Sequence, residues 1–278
     1  MDYLKRAREF RTKKRLGQNF LIDANIINLI IEKADLKPDE IIVEIGAGAG
    51  FVTENIAPLV KKIYAVELDP EAVDILYDLK LENLEILTQD ILKTSFSEFL
   101  TEKTKIIANI PYYITSPIIA HLLGEINDSE NVNRNLISEI FLMVQYEVAQ
   151  RIIATPESPN KQYGLLSILT NFWSNPEIIQ KVPAKAFYPA PKVDSAIVKL
   201  TVNEKPRVEL QHPEIFKKLI KSAFAQRRKT FVNAISQGGF EKNKTLSVLE
   251  KMGLASEIRG EKLSIEQFND FTNIYTDL

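Results

Sequence analysis

Hydrophobic and polar residues alternate in two distinct patterns between about Asn25 and Leu123. Short apolar runs bounded by turn or polar residues predict buried strands, and they cover 41–45, 62–68, 84–87 and 104–109. The segments between them predict helices, at Phe51–Val60, Pro70–Leu79 and Ser116–Leu123. Strands that alternate with helices in this way predict an α/β fold with a mostly parallel sheet and helices on both faces.

The pattern changes in the second half of the chain. Further strands are predicted at Glu139–Val144, Glu177–Lys181 and Val193–Val202, the last two as an antiparallel pair at one edge of the sheet. After a polar linker at 203–207 the chain is predicted to be helical. His212–Ser236 has apolar residues every three or four positions, which predicts one amphipathic helix with a basic opposite face. We therefore divide the chain into a basic N-terminal segment (1–24), an α/β domain (25–204) and a helical C-terminal domain (205–278).

Composition excludes several classes of protein and site. With 278 residues, 45% of them hydrophobic, the chain has the composition of a soluble globular protein. It has no cysteine, so disulfides and thiolate metal sites are excluded. Its two histidines argue against histidine-based triads and multi-histidine zinc sites, and no metal is expected. The lack of cysteine is compatible with a reducing, cytoplasmic location. No apolar run approaches the roughly 20 residues that span a bilayer, so no membrane association is expected.

Positive charge is concentrated in two places although the net charge is −2. The first cluster comprises Lys5, Arg6, Arg8, Arg11, Lys13, Lys14 and Arg15. The second comprises Lys217, Lys218, Lys221, Arg227, Arg228 and Lys229. Two local basic clusters on a mildly acidic chain indicate an anionic partner, although a solvated helix face gives the same pattern.

A glycine-rich turn follows the first predicted strand, in Glu44-Ile-Gly46-Ala-Gly48-Ala-Gly50. Glycines at such a turn allow backbone N–H groups to approach a ligand closely. A dinucleotide fingerprint would require a third glycine at position 51, which is phenylalanine. The spacing therefore favours a smaller nucleoside cofactor, and a purely structural turn remains the alternative.

Acidic residues follow the next two strands. The carboxyl ends of parallel strands share one edge of the sheet, so Glu67 is expected next to the glycine turn, where it can accept hydrogen bonds from a ribose. Asp69 is predicted to cap the helix that starts at Pro70. Asp90 is predicted to accept from an adenine amine, although it too is compatible with a helix cap. Together with the glycines, these residues make S-adenosylmethionine the best-fitting cofactor.

The fourth strand ends in Asn109-Ile110-Pro111-Tyr112, which predicts the target atom. An adenine amine is a poor nucleophile because its lone pair is delocalised into the ring. The Asn109 side-chain oxygen and the Ile110 carbonyl can accept its two hydrogens, and Pro111 can keep these acceptors aimed. Tyr112 can stack on the extracted base, and Phe187 is a candidate for its second face. The structural alternative for the tetrapeptide is a proline turn that caps the strand, with two core tyrosines. The alternative for Phe187 is an ordinary aromatic residue on an edge strand.

These motifs together resemble the small-subunit ribosomal RNA adenine dimethyltransferases over nearly the whole chain. The matching segments are Gly17-Gln-Asn-Phe-Leu21, Glu44–Gly50, Glu67-Leu-Asp69, Gln89-Asp90, Asn109-Ile-Pro-Tyr112, Phe187–Ser195 and Gln226-Arg-Arg-Lys229. Ala47 and Ile110 stand where the family usually has proline and leucine. The resemblance implies a Rossmann-like S-adenosylmethionine-dependent methyltransferase domain and a small helical C-terminal domain.

The resemblance also implies residue roles. Asn19 and Leu21 would lie over the cofactor, and Gly46 and Gly48 along its methionine part. Glu67 would bind its ribose and Asp90 its adenine. Asn109 would face both the cofactor and the target amine. The implied reaction is N6,N6-dimethylation of two adjacent adenosines near the 3′ end of small-subunit (16S) rRNA during ribosome assembly, by a cytoplasmic monomer.

Partners and alternative functions follow from the same resemblance. The basic face at 217–229, including a helical Gln226–Lys229, is predicted to dock the assembling 30S-type particle. The N-terminal basic cluster is predicted to be a mobile arm that orders on RNA. The alternatives are a large-subunit rRNA adenine dimethyltransferase of the macrolide-resistance type, or an assembly or RNA-binding factor without essential turnover.

Overall fold

A mixed sheet of seven strands forms the centre of the first of two units in the chain. The computed structural model describes residues 3–10, 18–159 and 162–278. The first unit comprises the described residues of 1–124, 130–149 and 175–202. The second comprises those of 125–129, 150–174 and 203–278.

The strands of the described chain form two sheets. They are β1 (Phe20–Leu21), β2 (Ile41–Ile45), β3 (Lys62–Glu67), β4 (Leu84–Thr88), β5 (Thr104–Asn109), β6 (Ile137–Gln145), β7 (Ser174–Val182), β8 (Phe187–Tyr188) and β9 (Ser195–Val202). The large sheet has the order β4-β3-β2-β5-β6-β9-β7, and β1 pairs with β8 in a small antiparallel sheet. The pairs from β4 through β6 are parallel, whereas β9 is antiparallel to β6. This confirms the predicted α/β architecture.

The predicted strands agree closely with the observed ones. The predicted bounds of β2 and β5 coincide with the structure, and both strands are central, with side chains buried on both faces. Such strands are apolar throughout, which is why the sequence marks their ends so clearly. β7 and β9 are hydrogen-bonded neighbours at one edge of the sheet, as predicted.

The first unit also contains helices, and all of them except the first follow a strand along the chain. They are α1 (Tyr3–Glu9), α2 (Ala24–Ala34), α3 (Thr53–Ile56), α4 (Pro70–Asp78), α5 (Thr115–Leu123) and α6 (Val132–Asn135), while α7 (Tyr146–Ile152) crosses from the first unit into the second. The predicted helix Phe51–Val60 is only α3 followed by a 3₁₀ turn at Ala57–Leu59. Pro58 explains this difference, because proline has no N–H to donate to the carbonyl one turn earlier.

The described N-terminal residues are folded against the first unit, so the prediction of a mobile arm is wrong for residues 3–10. The side chains of Tyr3, Ala7 and Phe10 belong to the hydrophobic core. Arg6 forms an ion pair of 2.7 Å with Glu54 on α3. Tyr3 and Phe10, at the two ends of α1, supply apolar contacts that the pattern of charges does not predict. Lys5 and Arg8 of this cluster lie in α1, whereas Arg11, Lys13, Lys14 and Arg15 lie outside the described residues.

The second unit is helical around an aromatic core. After α7 its helices are α8 (Leu165–Trp173), α9 (Pro213–Ala225), α10 (Phe231–Ser236), α11 (Lys242–Lys251) and α12 (Ile265–Asp277). Its buried aromatic residues are Tyr163, Phe172, Trp173, Phe216, Phe224, Phe231, Phe240, Phe268 and Phe271. The chain last enters this unit at Asn203, close to the predicted boundary, but the unit also includes 150–174. That segment is bound internally, since Thr170 Oγ1 donates to the Ile152 carbonyl over 2.7 Å.

The predicted helix His212–Ser236 is two helices, so the prediction that 226–229 is helical is wrong. α9 ends at Ala225, a turn follows, and Thr230 caps α10 by accepting a hydrogen bond from the Asn233 N–H. The Phe231 N–H donates instead to the Ile258 carbonyl over 2.7 Å. Tertiary hydrogen bonding therefore breaks a segment whose apolar spacing alone predicts continuity.

None of the described helices combines the length and the apolar character that crossing a bilayer requires.

Candidate active site

A cavity lies at the carboxyl edge of the parallel strands in the first unit, where ligands bind in folds of this kind. The segment 18–20 forms another part of its wall. The lining residues are Gln18, Asn19, Phe20, Ile45, Gly46, Gly48, Val66, Glu67, Leu68, Gln89, Asp90, Ile91, Asn109, Ile110, Pro111, Tyr112, Tyr113, Ile114 and Ile118. The cavity thus brings together most of the residues that the sequence singles out.

Two glycines of the turn after β2 have backbone conformations that other residues rarely adopt, with φ of 72° at Gly46 and 55° at Gly48. A Cβ added to Gly46 would lie 2.9 Å from the Asn109 carbonyl oxygen. A Cβ on Gly48 would lie 2.8 Å from the Phe20 ring. Glycine is therefore required here both by backbone conformation and by close packing against the cavity wall.

The Glu67 carboxylate is held by three backbone N–H groups. Its Oε2 accepts from Gly48 over 2.9 Å. Its Oε1 accepts from Leu68 over 2.8 Å and from Asp69 over 2.9 Å. Each carboxylate oxygen can accept two hydrogen bonds, so Oε2 retains capacity for a further donor. Glu67 is therefore an oriented acceptor in the cavity wall.

Asp69 and Asp90 both cap short helical segments. Asp69 Oδ1 accepts from the Glu71 N–H over 3.2 Å, which confirms the predicted cap of α4. Asp90 Oδ1 accepts from the Leu92 N–H over 3.0 Å, at the start of a 3₁₀ turn. Because Asp90 also lines the cavity, capping and ligand binding are not exclusive for this residue.

The Asn109 side chain has a defined orientation at the end of β5. Its Nδ2 donates to the Asn19 main-chain carbonyl over 3.2 Å. Since an amide has one acceptor and one donor end, this bond directs Oδ1 to the other side. The adjacent Pro111 has φ of −58° and leads into a 3₁₀ turn at Tyr112–Ile114.

Tyr112 is fixed at its hydroxyl, which lies 2.7 Å from the Ser195 Oγ at the start of β9. Burial raises the pKa of the Tyr112 phenol, and the hydrogen bond to Ser195 partly opposes this rise. Tyr112 therefore stays a neutral ring at physiological pH. Ser195 is a site residue that sequence reasoning missed, although it lies in the recognised segment 187–195. Tyr113, also missed, is 64% exposed at the cavity and adjoins the predicted tetrapeptide.

Leu21 and Phe187 are not brought to this cavity. They are paired across β1 and β8 and are 3% and 2% exposed, within the hydrophobic core. Since neighbouring residues of a strand point to opposite faces, Phe20 lines the cavity and Leu21 does not. The prediction that Phe187 supplies the second face of a base sandwich is therefore not supported by its position.

Glu44, in β2 just before the glycine turn, is a buried carboxyl group that is 3% exposed. Its Oε2 has no hydrogen-bond partner among the described residues. Burial is the main reason why the pKa of Glu44 is raised to about 7; interaction with Thr53 opposes the rise and the Glu67 charge adds to it.

This raised pKa predicts a pH-dependent stability. Between pH 4.5 and about 7 the folded protein binds more protons at Glu44 than the unfolded chain does, so the free energy of unfolding decreases as pH rises. Urea unfolding at pH 5, 6, 7 and 8 should show a decrease on the order of 3 kcal/mol from this group. Glu44→Gln should flatten this decrease; an equal slope in both proteins would assign it to other groups.

The second basic cluster does not form the uniform exposed face that was predicted. Lys217 forms an ion pair with Glu125. Arg227 donates to the Tyr163 carbonyl over 2.6 Å and lies 3.6 Å from Glu261. Lys218 lies 5.4 Å over the Phe240 ring, and Lys221 is 3.9 Å from Glu125. Arg228 and Lys229 are exposed in the turn between α9 and α10.

The chain is similar to known proteins over nearly its whole length. The family model described as ribosomal RNA adenine dimethylase matches residues 9–277. The chain is 38% identical over 273 residues to ribosomal RNA small subunit methyltransferase A of Alkaliphilus metalliredigens, covering 95% of this chain and 92% of that protein. The protein of the same name from Caldanaerobacter subterraneus is 38% identical over 270 residues, covering 95% and 97%.

Solved structures show the same fold. A dimethyladenosine transferase from Plasmodium falciparum has a TM-score of 0.71 at 28% identity, covering 90% of this chain and 94% of that one. The 23S rRNA methyltransferase ErmE has a TM-score of 0.68 at 24% identity, covering 93% and 100%. The latter likeness concerns the fold alone.

Proposed function

Because the chain belongs to the ribosomal RNA adenine dimethylase family, it is an rRNA adenine methyltransferase, and we propose how its cavity performs the reaction. The substrate is small-subunit rRNA, the target is N6 of two adjacent adenosines near its 3′ end, and each receives two methyl groups. The methyl donor is S-adenosylmethionine. The observation that carries this proposal is the orientation of Asn109, whose side-chain oxygen is directed away from Asn19.

The cavity fits a nucleoside cofactor in its shape and in its hydrogen-bond acceptors. Gly46 and Gly48 leave room that side chains would fill, and their turn would lie along the methionine part. The Glu67 carboxylate would accept from the ribose hydroxyls, and Asp90 from the adenine amine. Asn19 would cover the cofactor; Leu21, in the core, would support that cover and not touch the ligand. S-adenosylmethionine supplies an electrophilic methyl group on a sulfonium.

The residues at the end of β5 would activate the adenine amine. Asn109 Oδ1 and the Ile110 carbonyl accept its two hydrogens, so the nitrogen becomes pyramidal and its lone pair is freed from the ring. Pro111 keeps both acceptors in place before the reaction starts, which is electrostatic preorganisation. No tuned base is needed, because the methylated nitrogen becomes acidic and releases its proton easily.

Tyr112 would hold the extracted base by stacking, with its ring fixed through Ser195. Tyr113, exposed at the cavity, is a candidate for a second stacking face in place of Phe187.

The direct test is methyl transfer from labelled S-adenosylmethionine to under-methylated small subunits, with large subunits and DNA as competing substrates. Label on two adjacent adenosines near the 3′ end of the small-subunit RNA is expected. Label on large-subunit RNA would favour the macrolide-resistance type of activity. Binding to small subunits without label would favour an assembly factor.

We also infer that the second unit binds the assembling 30S-type particle through its exposed basic residues. Phosphate contacts give salt-dependent affinity without sequence preference. Since Lys217 and Arg227 have intramolecular partners, Arg228 and Lys229 are the best candidates for phosphate contacts, with Lys218 and Lys221 beside them.

Charge reversal tests this docking surface. The double substitution Arg228→Glu and Lys229→Glu should weaken particle binding and reduce the slope of log affinity against log salt by about 2, one for each lost phosphate contact. Filter binding at several salt concentrations measures both quantities. Lys242→Glu with Lys251→Glu on α11 is the matched control, with the same change in net charge. An equal loss in both double variants would mean that the effect is one of net charge only.

A further inference from the structure

We propose that Gln18 is a positioning residue: its bond to Asp69 fixes the Asn19 carbonyl, which in turn orients the Asn109 amide. The proposal rests on the function assigned above to Asn109. It concerns a residue that neither binds a reacting atom nor stands among the predicted site residues.

The orientation of the Asn109 amide decides whether the site can work. With Nδ2 on the Asn19 carbonyl, the acceptor Oδ1 is presented to the other side. A rotation of the amide by half a turn would present two N–H donors to an amine that is itself a donor. Asparagine has no intrinsic preference between these two orientations, so the Asn19 carbonyl selects the productive one.

The Asn19 carbonyl is held from both sides along the chain. On one side, Phe20 pairs with Tyr188 across the small sheet, and its ring packs on Gly48. On the other side, Gln18 Nε2 donates to Asp69 Oδ2 over 2.6 Å. A peptide group anchored at both neighbours has little freedom to rotate, whereas loss of either anchor frees its carbonyl.

Asp69 is a suitable anchor because it is itself fixed. It is 1% exposed, its Oδ1 caps α4, and its N–H donates to Glu67. A hydrogen bond to a charged carboxylate is stronger than one between neutral groups. Gln18 thus connects the cap of α4 to the segment that orients the Asn109 amide.

The test exchanges the two partners. Gln18→Glu places a second carboxylate against Asp69 and should lower kcat by about 10- to 100-fold at pH 8, with little change in the KM for RNA. Asp69→Asn alone should stay close to wild type, because asparagine caps helices as well as aspartate and the Gln18 amide can turn to present its oxygen. The double variant, Gln18→Glu with Asp69→Asn, restores a donor opposite an acceptor and should recover kcat.

A pH profile gives a second readout. Two carboxylates at hydrogen-bond distance share a proton, so one pKa of the pair is raised. Activity of Gln18→Glu relative to wild type should therefore be highest at low pH and fall as pH rises. Glu67, whose carboxylate accepts from the Asp69 N–H, and Glu71, whose main-chain N–H donates to Asp69, are unchanged in all variants. A profile parallel to wild type would contradict the proposal.

The outcomes separate this proposal from the proposed function. If wild type binds S-adenosylhomocysteine in calorimetry and methylates small subunits while Gln18→Glu does both equally well, the positioning role is wrong and the function stands. If the double variant is as slow as Gln18→Glu, the effect is not due to this bond. If wild type neither binds the nucleoside nor methylates, the proposed function itself fails.

Discussion

Asn109→Ala is expected to lower the rate of methyl transfer by about 10²- to 10³-fold, which is the usual cost of removing one preorganised electrostatic group from an active site. Alanine removes the acceptor for one amine hydrogen, so the nitrogen lone pair stays delocalised in the ring. Affinity for the cofactor should fall only modestly, because Glu67, Asp90 and the glycine turn are unchanged. Single-turnover rates and calorimetry measure the two quantities separately.

Asn109→Asp is the informative second variant. Aspartate keeps acceptor oxygens for the target amine but loses the donor to the Asn19 carbonyl, so its rate should lie between those of wild type and Asn109→Ala. Turnover of Asn109→Ala near the wild-type rate would contradict the acceptor role. A large loss of cofactor binding would show instead that Asn109 is mainly a cofactor ligand.

Glu67→Gln is expected to damage both the cofactor site and the fold. The substitution has nearly the same shape, but its amide would set N–H donors against the N–H of either Gly48 or Leu68 and Asp69. Leaving a buried donor without its acceptor costs about 1–3 kcal/mol, and more where the lost acceptor was charged. The free energy of unfolding should fall by about that amount. A similar loss of binding free energy would lower cofactor affinity by at least about 10-fold, because every 1.4 kcal/mol is a factor of ten.

Denaturant unfolding and calorimetry with S-adenosylhomocysteine measure these two effects. Glu85→Gln is the matched control on the neighbouring strand β4. Its carboxylate is half exposed and bound to Lys62 over 2.6 Å, so its loss should cost less than about 1 kcal/mol. If Glu67→Gln were as stable as Glu85→Gln and bound the nucleoside normally, the three backbone hydrogen bonds to Glu67 would contribute neither to stability nor to cofactor binding.

The sequence predicts most of the first unit because its signals are local. Central parallel strands are short, apolar and bounded by turn residues, so β2 and β5 are recognisable without tertiary information. Side chains at the ends of such strands must share one edge of the sheet, which is why Gly46, Glu67, Asp90 and Asn109 could be assigned to one cavity before the fold was known.

Apolar spacing does not predict structure correctly where the structure of a segment depends on its tertiary contacts. The break between α9 and α10 depends on Thr230 and on a hydrogen bond between Phe231 and Ile258, neither of which alters the periodicity. The folded position of residues 3–10 depends on Tyr3 and Phe10 reaching the core, while the many charges around them suggested a free arm.

Amino-acid sequence alone determined the chemistry of this protein: the glycine turn, the carboxylates and the Asn109–Tyr112 tetrapeptide are local motifs whose atoms suit a nucleoside cofactor and an adenine amine. Tertiary structure alone decided which neighbouring residues orient those atoms. It brought Asn19 to Asn109, Ser195 to Tyr112 and Gln18 to Asp69, and it kept Leu21 and Phe187 in the core. The physical reason is that motif chemistry is carried by residues close in sequence, whereas orientation depends on hydrogen bonds between residues 51 to 90 positions apart, which no local pattern encodes.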